Sequence, residues 1–254
     1  MPGAPLLEAK DVTKTYGRVT ALSGANFTAN AGEVVALMGD NGAGKSTLVK
    51  CMSGVIQPDS GDILVEGGKA DLRDPQRARL LGLETVFQDL ALAADLDAAA
   101  NLFMGRERLK GGLLGRMGFL DRKGMADEAA RSFASLGVGI QDPAVSVVSL
   151  SGGQRQSVAV ARAVVWASKV VVMDEPTAAL GMVQTNRVQE LIEAVRKAGR
   201  TVILVSHDLP FVLRVADRIE VLRLGRRVAQ LRTGETDAAE VLGAMTGAHA
   251  QEGV

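Results

Sequence analysis

The sequence predicts an α/β fold with an inserted helical lobe, and three observations carry that prediction. An apolar run at Glu33–Met38 leads through a glycine-rich loop into a helical pattern. The alternation of apolar strands with helices returns at Val170–Asp174 and Thr201–Ser206. Between these two regions alanine is dense, and glycines separate helical stretches. The predicted bounds are 1–88 and 166–235 for the α/β core, 89–165 for the helical lobe and 236–254 for a C-terminal tail.

Apolar spacing and capping residues predict several individual elements. Gly199 is expected to end a helix whose buried face is formed by Val188, Leu191, Ile192 and Val195. Asp208 is the expected N-cap of a helix at Leu209–Ala216, and Gly225 the turn of a β-hairpin. The helix after the glycine-rich loop is expected to share one face among Leu48, Cys51, Met52 and Val55. From about residue 246 the chain is expected to fray.

Composition narrows the class of protein. The 254 residues are 47% hydrophobic, enough for one large domain with a real core. Lys plus Arg and Asp plus Glu number 29 each, which argues against nucleic acid as the main partner because such binding needs a basic surface. The single cysteine, Cys51, excludes an intrachain disulfide and fits a reducing compartment. We expect no signal peptide and no apolar run near the ~20 residues that span a bilayer.

The strongest motif is the glycine-rich loop at Gly39–Thr47, which fits G-x-x-x-x-G-K-[ST] between a strand and a helix. Its glycines let backbone N–H groups surround a phosphate chain, and the following helix adds its positive end. In this pattern Lys45 reaches the β- and γ-phosphates of ATP, and Ser46 offers a hydroxyl to Mg²⁺. The sequence therefore predicts a P-loop NTPase. The predicted nucleotide contacts within the loop are Gly39, Asp40, Asn41, Gly42, Ala43, Gly44, Lys45, Ser46 and Thr47.

A second glycine-containing motif precedes a long helical pattern at 157–165. Ser151 and Gln154 have the spacing of a capping box, and Gly152 and Gly153 lie between them. Such a helix start can meet an anion, although an ordinary capped helix would look the same. The run Leu150–Gln156 resembles the signature motif of ATP-binding cassette (ABC) proteins. That resemblance implies that the signature of one subunit covers the ATP held by the P-loop of another, in a head-to-tail homodimer.

The resemblance implies a fold and further site residues. The fold would be a RecA-like P-loop NTPase core with an antiparallel β subdomain and an inserted helical signature subdomain. Asp174 matches the Walker B aspartate, which supports Mg²⁺, and Glu175 matches the catalytic glutamate that polarises the attacking water. Without the Pro176-Thr177 that follows and the spacing from Ser151, two acids at a strand end would be unremarkable in a sheet protein.

Three further residues match family positions, each with an ordinary alternative. Gln88 matches the Q-loop glutamine, which contacts Mg²⁺ or water, but it could be a solvated loop residue. His207 matches the switch histidine, which contacts the γ-phosphate; a lone histidine is more often structural, and the only other one is His249. Tyr16, the only tyrosine, matches the aromatic that stacks on adenine, but it could be a surface-packing residue.

One position departs from the family pattern. Many ABC ATPases have an aspartate where this chain has Gly181, after the run Ala178-Ala179-Leu180. The difference puts one contact across the dimer in doubt, but not ATP binding. This run and Val86–Glu107 resemble the ATPases of ribose-, xylose- and fructose-type monosaccharide importers. The resemblance to ABC ATPases covers residues 6–231.

The resemblance implies an ATPase that acts as a peripheral subunit on the cytoplasmic face of the cell membrane. Its partners would be membrane permease subunits and, indirectly, a periplasmic solute-binding protein, with ATP and Mg²⁺ as cofactors and no nucleic acid. Two alternatives stay open. One is a soluble ABC ATPase acting on ribosomes or DNA, although the chain has no paired cassette, long coiled coil or basic arm. The other is a nucleotide-binding regulatory module that hardly hydrolyses ATP, for which Gly181 is the only indication.

Overall fold

The computed structural model describes residues 4–178 and 180–248, and these form two compact units. The first unit comprises Met1–Thr85, Ala167–Pro176 and Ile192–Val254. The second comprises Val86–Trp166 and Thr177–Leu191. His249, the last part of the predicted tail and Ala179 lie outside the described residues. No helix in 4–178 or 180–248 has the length and apolar character needed to cross a bilayer.

The strands and helices alternate along the chain as an α/β protein requires. The strands are β1 (Leu7–Tyr16), β2 (Val19–Ala29), β3 (Val34–Met38), β4 (Ser60–Val65), β5 (Gly68–Lys69), β6 (Leu83–Val86), β7 (Val170–Asp174), β8 (Thr201–Val205), β9 (Arg218–Arg223) and β10 (Arg226–Arg232). The helices are α1 (Lys45–Met52), α2 (Pro75–Leu80), α3 (Ala98–Leu102), α4 (Gly112–Arg116), α5 (Arg122–Ser135), α6 (Gly152–Trp166), α7 (Met182–Lys197), α8 (Leu209–Val215) and α9 (Ala238–Thr246). A short 3₁₀ turn, Val147–Ser149, precedes α6.

Two sheets organise the strands. The six-stranded sheet has the order β10-β9-β3-β8-β7-β6, and β3 pairs in parallel with both β8 and β9. Every residue of β3, β7 and β8 is buried, as expected for parallel strands covered on both faces. The four-stranded sheet has the order β2-β1-β4-β5 and is antiparallel. The predicted α/β core and antiparallel β subdomain are therefore both present.

A buried ionic network in the first unit joins strands of the two sheets. Arg218 on β9 donates to Glu33, to the neighbouring Glu220, and to the carbonyl oxygen of Thr28 on β2 at 2.6 Å. Glu220 is fully buried and also accepts from the Thr28 hydroxyl at 2.9 Å. Arg227 completes the pairing from β10, 3.2 Å from Glu220. Because every buried charge has an oppositely charged partner, the network can persist inside the fold.

The elements that were predicted from capping residues or from apolar periodicity are confirmed. Asp208 caps α8 by accepting from the Phe211 amide at 3.0 Å. Gly199 lies just beyond α7 with a φ of +76°, and Gly225 lies between β9 and β10. The predicted apolar face of α7 is buried.

Other predictions need correction. The segment 236–254 was predicted as a tail, but α9 forms at Ala238–Thr246, with Asp237 accepting from the Glu240 amide at 2.9 Å. Val241 and Met245 on α9 are buried, so this helix is part of the first unit rather than of a tail. Val55 was expected on the buried face of α1, but α1 ends at Met52 and Val55 is exposed. The predicted lobe, 89–165, omitted residues 177–191, which belong to the second unit.

Candidate nucleotide-binding site

The glycine-rich loop of the first unit connects β3 to α1, and backbone geometry explains its glycines. Gly39 has a φ of +149°, and a Cβ at this position would lie 2.2 Å from the Leu222 carbonyl oxygen. Gly44 has a φ of +104°, and its Cβ would lie 2.6 Å from the Ala21 carbonyl oxygen. Both positions therefore exclude a side chain for conformational and for steric reasons. The loop is held in one shape before any ligand arrives.

Lys45 lies inside this loop. Its Nζ donates to the carbonyl oxygens of Gly39 at 2.7 Å and Asp40 at 3.0 Å, and the residue is 9% exposed. Burial lowers the pKa of Lys45, although the negative charges of Glu175 and Asp174 oppose the shift. A cation enclosed by loop carbonyls at the start of a helix can exchange those acceptors for phosphate oxygens.

Two carboxylates stand at the C-terminal end of β7, in the same unit as the loop. Asp174 ends the strand and is 7% exposed. Burial raises the pKa of Asp174, and the charge of Glu175 raises it further, while Lys45 and Lys50 act in the opposite direction. A nearby cation would therefore be attracted to this pair, because it would offset the mutual repulsion of the two acids.

Glu175 is held beside His207 at the ends of neighbouring strands. The Glu175 amide donates to the Val205 carbonyl oxygen at 2.9 Å, which fixes the backbone against β8. Nδ1 of His207 lies 2.8 Å from Oε2 of Glu175, but no donor among the described residues is aligned for a hydrogen bond to that oxygen. The Glu175 backbone has a φ of +52°, in the left-handed region. Oε2 of Glu175 is therefore a buried acceptor that lies against His207 without an aligned hydrogen bond from the described residues.

The histidine is more accessible than its partner. The side chain of His207 is 71% exposed, whereas that of Glu175 is 14% exposed. His207 directly follows β8 and precedes Asp208, whose amide donates to the buried Ser206 hydroxyl at 3.1 Å. The backbone on both sides of His207 is therefore anchored, and its ring is left to contact a ligand.

The remaining predicted residues of the first unit differ in exposure. Asp40, Asn41 and Ser46 are exposed, and Thr47 is half-buried. Tyr16 ends β1 with half its surface exposed, and Nζ of Lys14 lies 5.9 Å from the centre of its ring. The structure brings Lys45, Asp174, Glu175 and His207 into one compact unit; the roles assigned to them by resemblance stay predictions.

A magnesium ion fits the first unit through oxygen ligands rather than through a protein cage. No group of three or more His, Cys, Asp or Glu side chains within 4–178 and 180–248 could hold a metal by itself. Mg²⁺ is typically bound by one or two protein oxygens together with phosphates and water. The Ser46 hydroxyl and the buried Asp174 carboxylate are suitable oxygens for such a site.

The second unit contains the predicted signature motif, and its capping box is confirmed. The Ser151 amide donates to Oε1 of Gln154 at 3.0 Å, and the Gln154 amide donates to the Ser151 hydroxyl at 3.3 Å. Ser151 and Gly152 are exposed at the start of α6. Gln88 is exposed just after β6. Contact of these residues with nucleotide or metal stays a prediction.

Gln184 on α7 packs against the second glycine of the signature motif, and no sequence motif indicates this contact. A Cβ on Gly153 would lie 2.5 Å from Cγ of Gln184, so the two helices approach closely only because residue 153 is glycine. The contact joins residues that are distant in the sequence. Only the glycine at position 153, which leaves room for a neighbouring helix, is a signal that such a partner exists.

Comparison with known proteins gives consistent matches. Residues 22–178, more than half of the chain, match the family described as ABC transporter. A fructose import ATP-binding protein of Rhizobium meliloti is 48% identical over 98% of this chain and 96% of its own length. A xylose/arabinose import ATP-binding protein of Sulfolobus acidocaldarius is 46% identical over 95% and 94%. A ribose import ATP-binding protein of Chromobacterium violaceum is 41% identical over 94% of this chain, which spans about half of that relative (46%).

Solved structures share the fold. A dimeric ATP-binding cassette, MJ0796, in a post-hydrolysis state with ADP and Pi, is 26% identical with a TM-score of 0.76, covering 89% of this chain and 98% of its own. The cassette MJ1267 has a TM-score of 0.80 at 23% identity, covering 98% of both chains, and this similarity supports the fold alone.

Proposed function

Because this chain belongs to the ABC transporter family, we propose that it is the ATP-hydrolysing subunit of a monosaccharide importer. The observation that carries the proposal is the grouping of Lys45, Asp174, Glu175 and His207 in one unit, at the glycine loop and the adjoining strand ends. The sugar class rests on the import ATPases that are 46–48% identical over nearly the whole chain.

The loop residues bind and orient the triphosphate. Gly39–Thr47 provides backbone N–H groups and the N-terminal end of α1, which favour the β- and γ-phosphates. Lys45 leaves the carbonyl oxygens of Gly39 and Asp40 and donates to phosphate oxygens, where its charge stabilises the transferring group. Tyr16 offers its half-exposed ring to the adenine.

The strand-end residues act on the attacking water. The Glu175 carboxylate accepts a hydrogen bond from the attacking water and orients the water toward the γ-phosphorus. His207 donates to a γ-phosphate oxygen and, through the contact with Glu175, limits where that carboxylate points. Ser46 and Asp174 would hold Mg²⁺, which supplies neutralisation of phosphate charge when bound.

A second copy of the chain completes each site in this proposal. Ser151–Gln154 of one chain meets the γ-phosphate bound by the other, because the exposed, capped start of α6 suits an anion. Two identical chains in a closed head-to-tail pair then provide two equivalent sites. The dimer of MJ0796 supports pairing in this family. Closing and reopening drive a membrane permease, which receives the sugar from a periplasmic solute-binding protein; the chain works on the cytoplasmic face.

The pairing is tested by mixing two inactive variants. Lys45→Ala and Ser151→Asp chains each lose both sites as homodimers, but a mixed dimer has one site with all its groups. At equal mixing half of the dimers are mixed, so about a quarter of wild-type hydrolysis should return. No recovery, under conditions where mixed dimers are detected by a tag on one variant, would contradict the head-to-tail arrangement.

The cargo and permease are tested on the assembled transporter. The wild-type chain should co-purify with a multispanning permease from a host expressing both, and its ATP hydrolysis should rise on adding a sugar-loaded binding protein. Stimulation by a monosaccharide such as fructose, xylose or ribose supports the sugar class. Hydrolysis that responds to ribosomes or DNA instead would favour a non-transport ATPase.

A further inference from the structure

A closed hairpin of the second unit runs from the segment after α3 into the first turn of α5, and it includes α4. We call residues 108–123 the basic hairpin. The amide of Lys110 donates to the carbonyl oxygen of Phe119 at 2.8 Å, and the amide of Asp121 donates to the carbonyl oxygen of Arg108 at 2.7 Å. Inside the hairpin, the Phe119 amide donates to the Leu114 carbonyl oxygen at 3.1 Å. The segment is therefore ordered by its own backbone hydrogen bonds.

Glycine allows this hairpin to close without an apolar core. A Cβ on Gly115 would lie 1.7 Å from the Lys110 carbonyl oxygen, so only glycine fits where the two arms meet. Gly112 and Gly118 turn the chain with φ values of +67° and +85°. Since the backbone alone fixes the shape, the large side chains do not have to pack inward.

The large apolar side chains of the basic hairpin are directed to solvent instead. Five of them are between 48% and 73% exposed, namely Leu109, Leu113, Leu114, Met117 and Phe119. Scattered apolar residues are normal on a protein surface, but five within eleven successive positions of one small hairpin form a patch. Such a patch indicates a surface that is covered by another molecule or by lipid.

The same segment has a strong local charge. Residues 108–123 contain five basic residues and one acidic residue, whereas the whole chain is balanced at 29 and 29. Arg108 is paired with Glu128, and the single acid, Asp121, is engaged in capping α5 by accepting from the Gly124 amide at 3.1 Å. Four cations of the same segment are exposed: Lys110, Arg116, Arg122 and Lys123.

We propose that the basic hairpin docks on the surface of an anionic lipid bilayer, with its apolar side chains in the headgroup boundary. Exposed apolar groups surrounded by Lys and Arg are the composition that binds anionic membrane surfaces. A permease loop is the other candidate, but cytoplasmic loops of membrane proteins carry an excess of Lys and Arg and would repel these cations. The docking needs neither ATP nor a second chain, so it does not depend on the proposed ATPase cycle.

Vesicle binding tests the proposal on the purified full-length chain. Vesicles of phosphatidylcholine alone are compared with vesicles containing 30% phosphatidylglycerol, by flotation at low and high salt. The chain should float with the anionic vesicles, and binding should weaken as salt screens the charges. A cation near an anionic surface contributes about 1 kcal/mol, which is about fivefold in the partition coefficient. The double variant Lys110→Gln/Arg116→Gln should therefore bind about 25-fold more weakly.

Matched controls distinguish the effect of the basic hairpin from the effects of net charge and of exposed apolar residues elsewhere on the chain. Lys10→Gln/Lys197→Gln removes two exposed lysines elsewhere and should bind less than twofold more weakly than wild type. Leu113→Ser/Met117→Ser should lose at least tenfold in partitioning, whereas Leu80→Ser, at an 82% exposed site, should not. All variants should keep wild-type ATP hydrolysis and melting temperature.

Three results would overturn the proposal. The first is wild-type binding that is absent or equal for the two lipid compositions. The second is an equal loss in the control and hairpin variants. The third is unchanged vesicle binding in hairpin variants that no longer co-purify with the permease, which would assign the patch to a protein partner. None of these results bears on ATP hydrolysis, which is measured separately.

Discussion

The phosphate loop of the first unit and the signature helix start of the second unit are both glycine-containing helix N-termini, but they are built differently. In the loop, Gly44 has no room for a side chain, and Lys45 is buried against loop carbonyls. In the signature, a Cβ on Gly152 meets no other part of the described chain within 4 Å, and Ser151 is exposed. The loop is thus complete within its own unit, whereas the signature has an open outer face that can receive a ligand held elsewhere.

The largest expected effect concerns Glu175, which lies in the same unit as the phosphate loop. Glu175→Gln should reduce ATP hydrolysis by at least about a hundredfold, because the amide is a poorer acceptor for the attacking water. ATP affinity, measured by a fluorescent analogue, should stay within a few fold. Glu190→Gln, at an exposed helix position, is the matched control and should hydrolyse normally. Equal turnover of Glu175→Gln and wild type would favour the regulatory module.

A pair of substitutions at Ser151 separates its capping role from its proposed role across the dimer. Aspartate caps a helix as well as serine does, but its charge would repel the γ-phosphate of the partner's ATP. Ser151→Asp should keep the melting temperature and lose hydrolysis by about a hundredfold. Ser151→Ala should lower stability by about 1 kcal/mol through loss of the cap. If Ser151→Asp hydrolyses like wild type, the signature does not approach the phosphate.

Two glycine substitutions test the packing difference directly. Gly44→Ala should lower the free energy of unfolding by about 1–3 kcal/mol, since the site combines a φ of +104° with two contacts under 3 Å. Gly152→Ala should leave stability unchanged or slightly higher, because the site is open and alanine favours a helix. Urea unfolding measures both. Equal destabilisation by the two changes would remove the contrast between the sites.

The smallest expected effect concerns the raised pKa of Asp174. Because the folded pKa lies above that of the unfolded chain, the ionised carboxylate lowers stability at neutral pH, and this cost disappears as pH falls through the folded pKa. Asp174→Asn should therefore raise the melting temperature of the nucleotide-free chain at pH 8. The gain in melting temperature should become smaller as pH falls toward the ordinary pKa range of aspartate. The same variant should lose magnesium-dependent ATP binding. A gain that is constant with pH would show that charge burial is not its cause.

The sequence predicted what short-range signals encode. The loop at Gly39–Thr47, the capping box at Ser151 and Gln154, and the Asp208 cap each depend on residues a few positions apart, so a local pattern suffices. The buried face of α7 follows from its helical periodicity, and β8 follows from its continuous apolar run. These local signals account for the loop and the signature, whereas Asp174, Glu175, His207, Gln88 and Tyr16 were assigned by resemblance to the family.

Features that depend on distant partners were not predictable. The network of Arg218 with Glu33 and Glu220 joins residues up to 185 positions apart, and no local pattern indicates the pairing of Arg218 with Glu33. Helix α9 was missed because it is only nine residues long and its buried apolar residues find their packing partners on strands that lie earlier in the chain. The basic hairpin was missed because its glycines suggested breaks between helices rather than a closed turn.

The backbone at Glu175 has a consequence for how this protein can change over time. A left-handed φ of +52° is unfavourable for glutamate, tolerated better by asparagine and without cost for glycine. Replacing Glu175 by glycine or asparagine would thus remove backbone strain and raise the free energy of unfolding, while the chain would lose ATP hydrolysis. At this residue the requirements of folding stability and of ATP hydrolysis are opposed. Where selection for hydrolysis is relaxed, we expect homologues that are more stable and inactive.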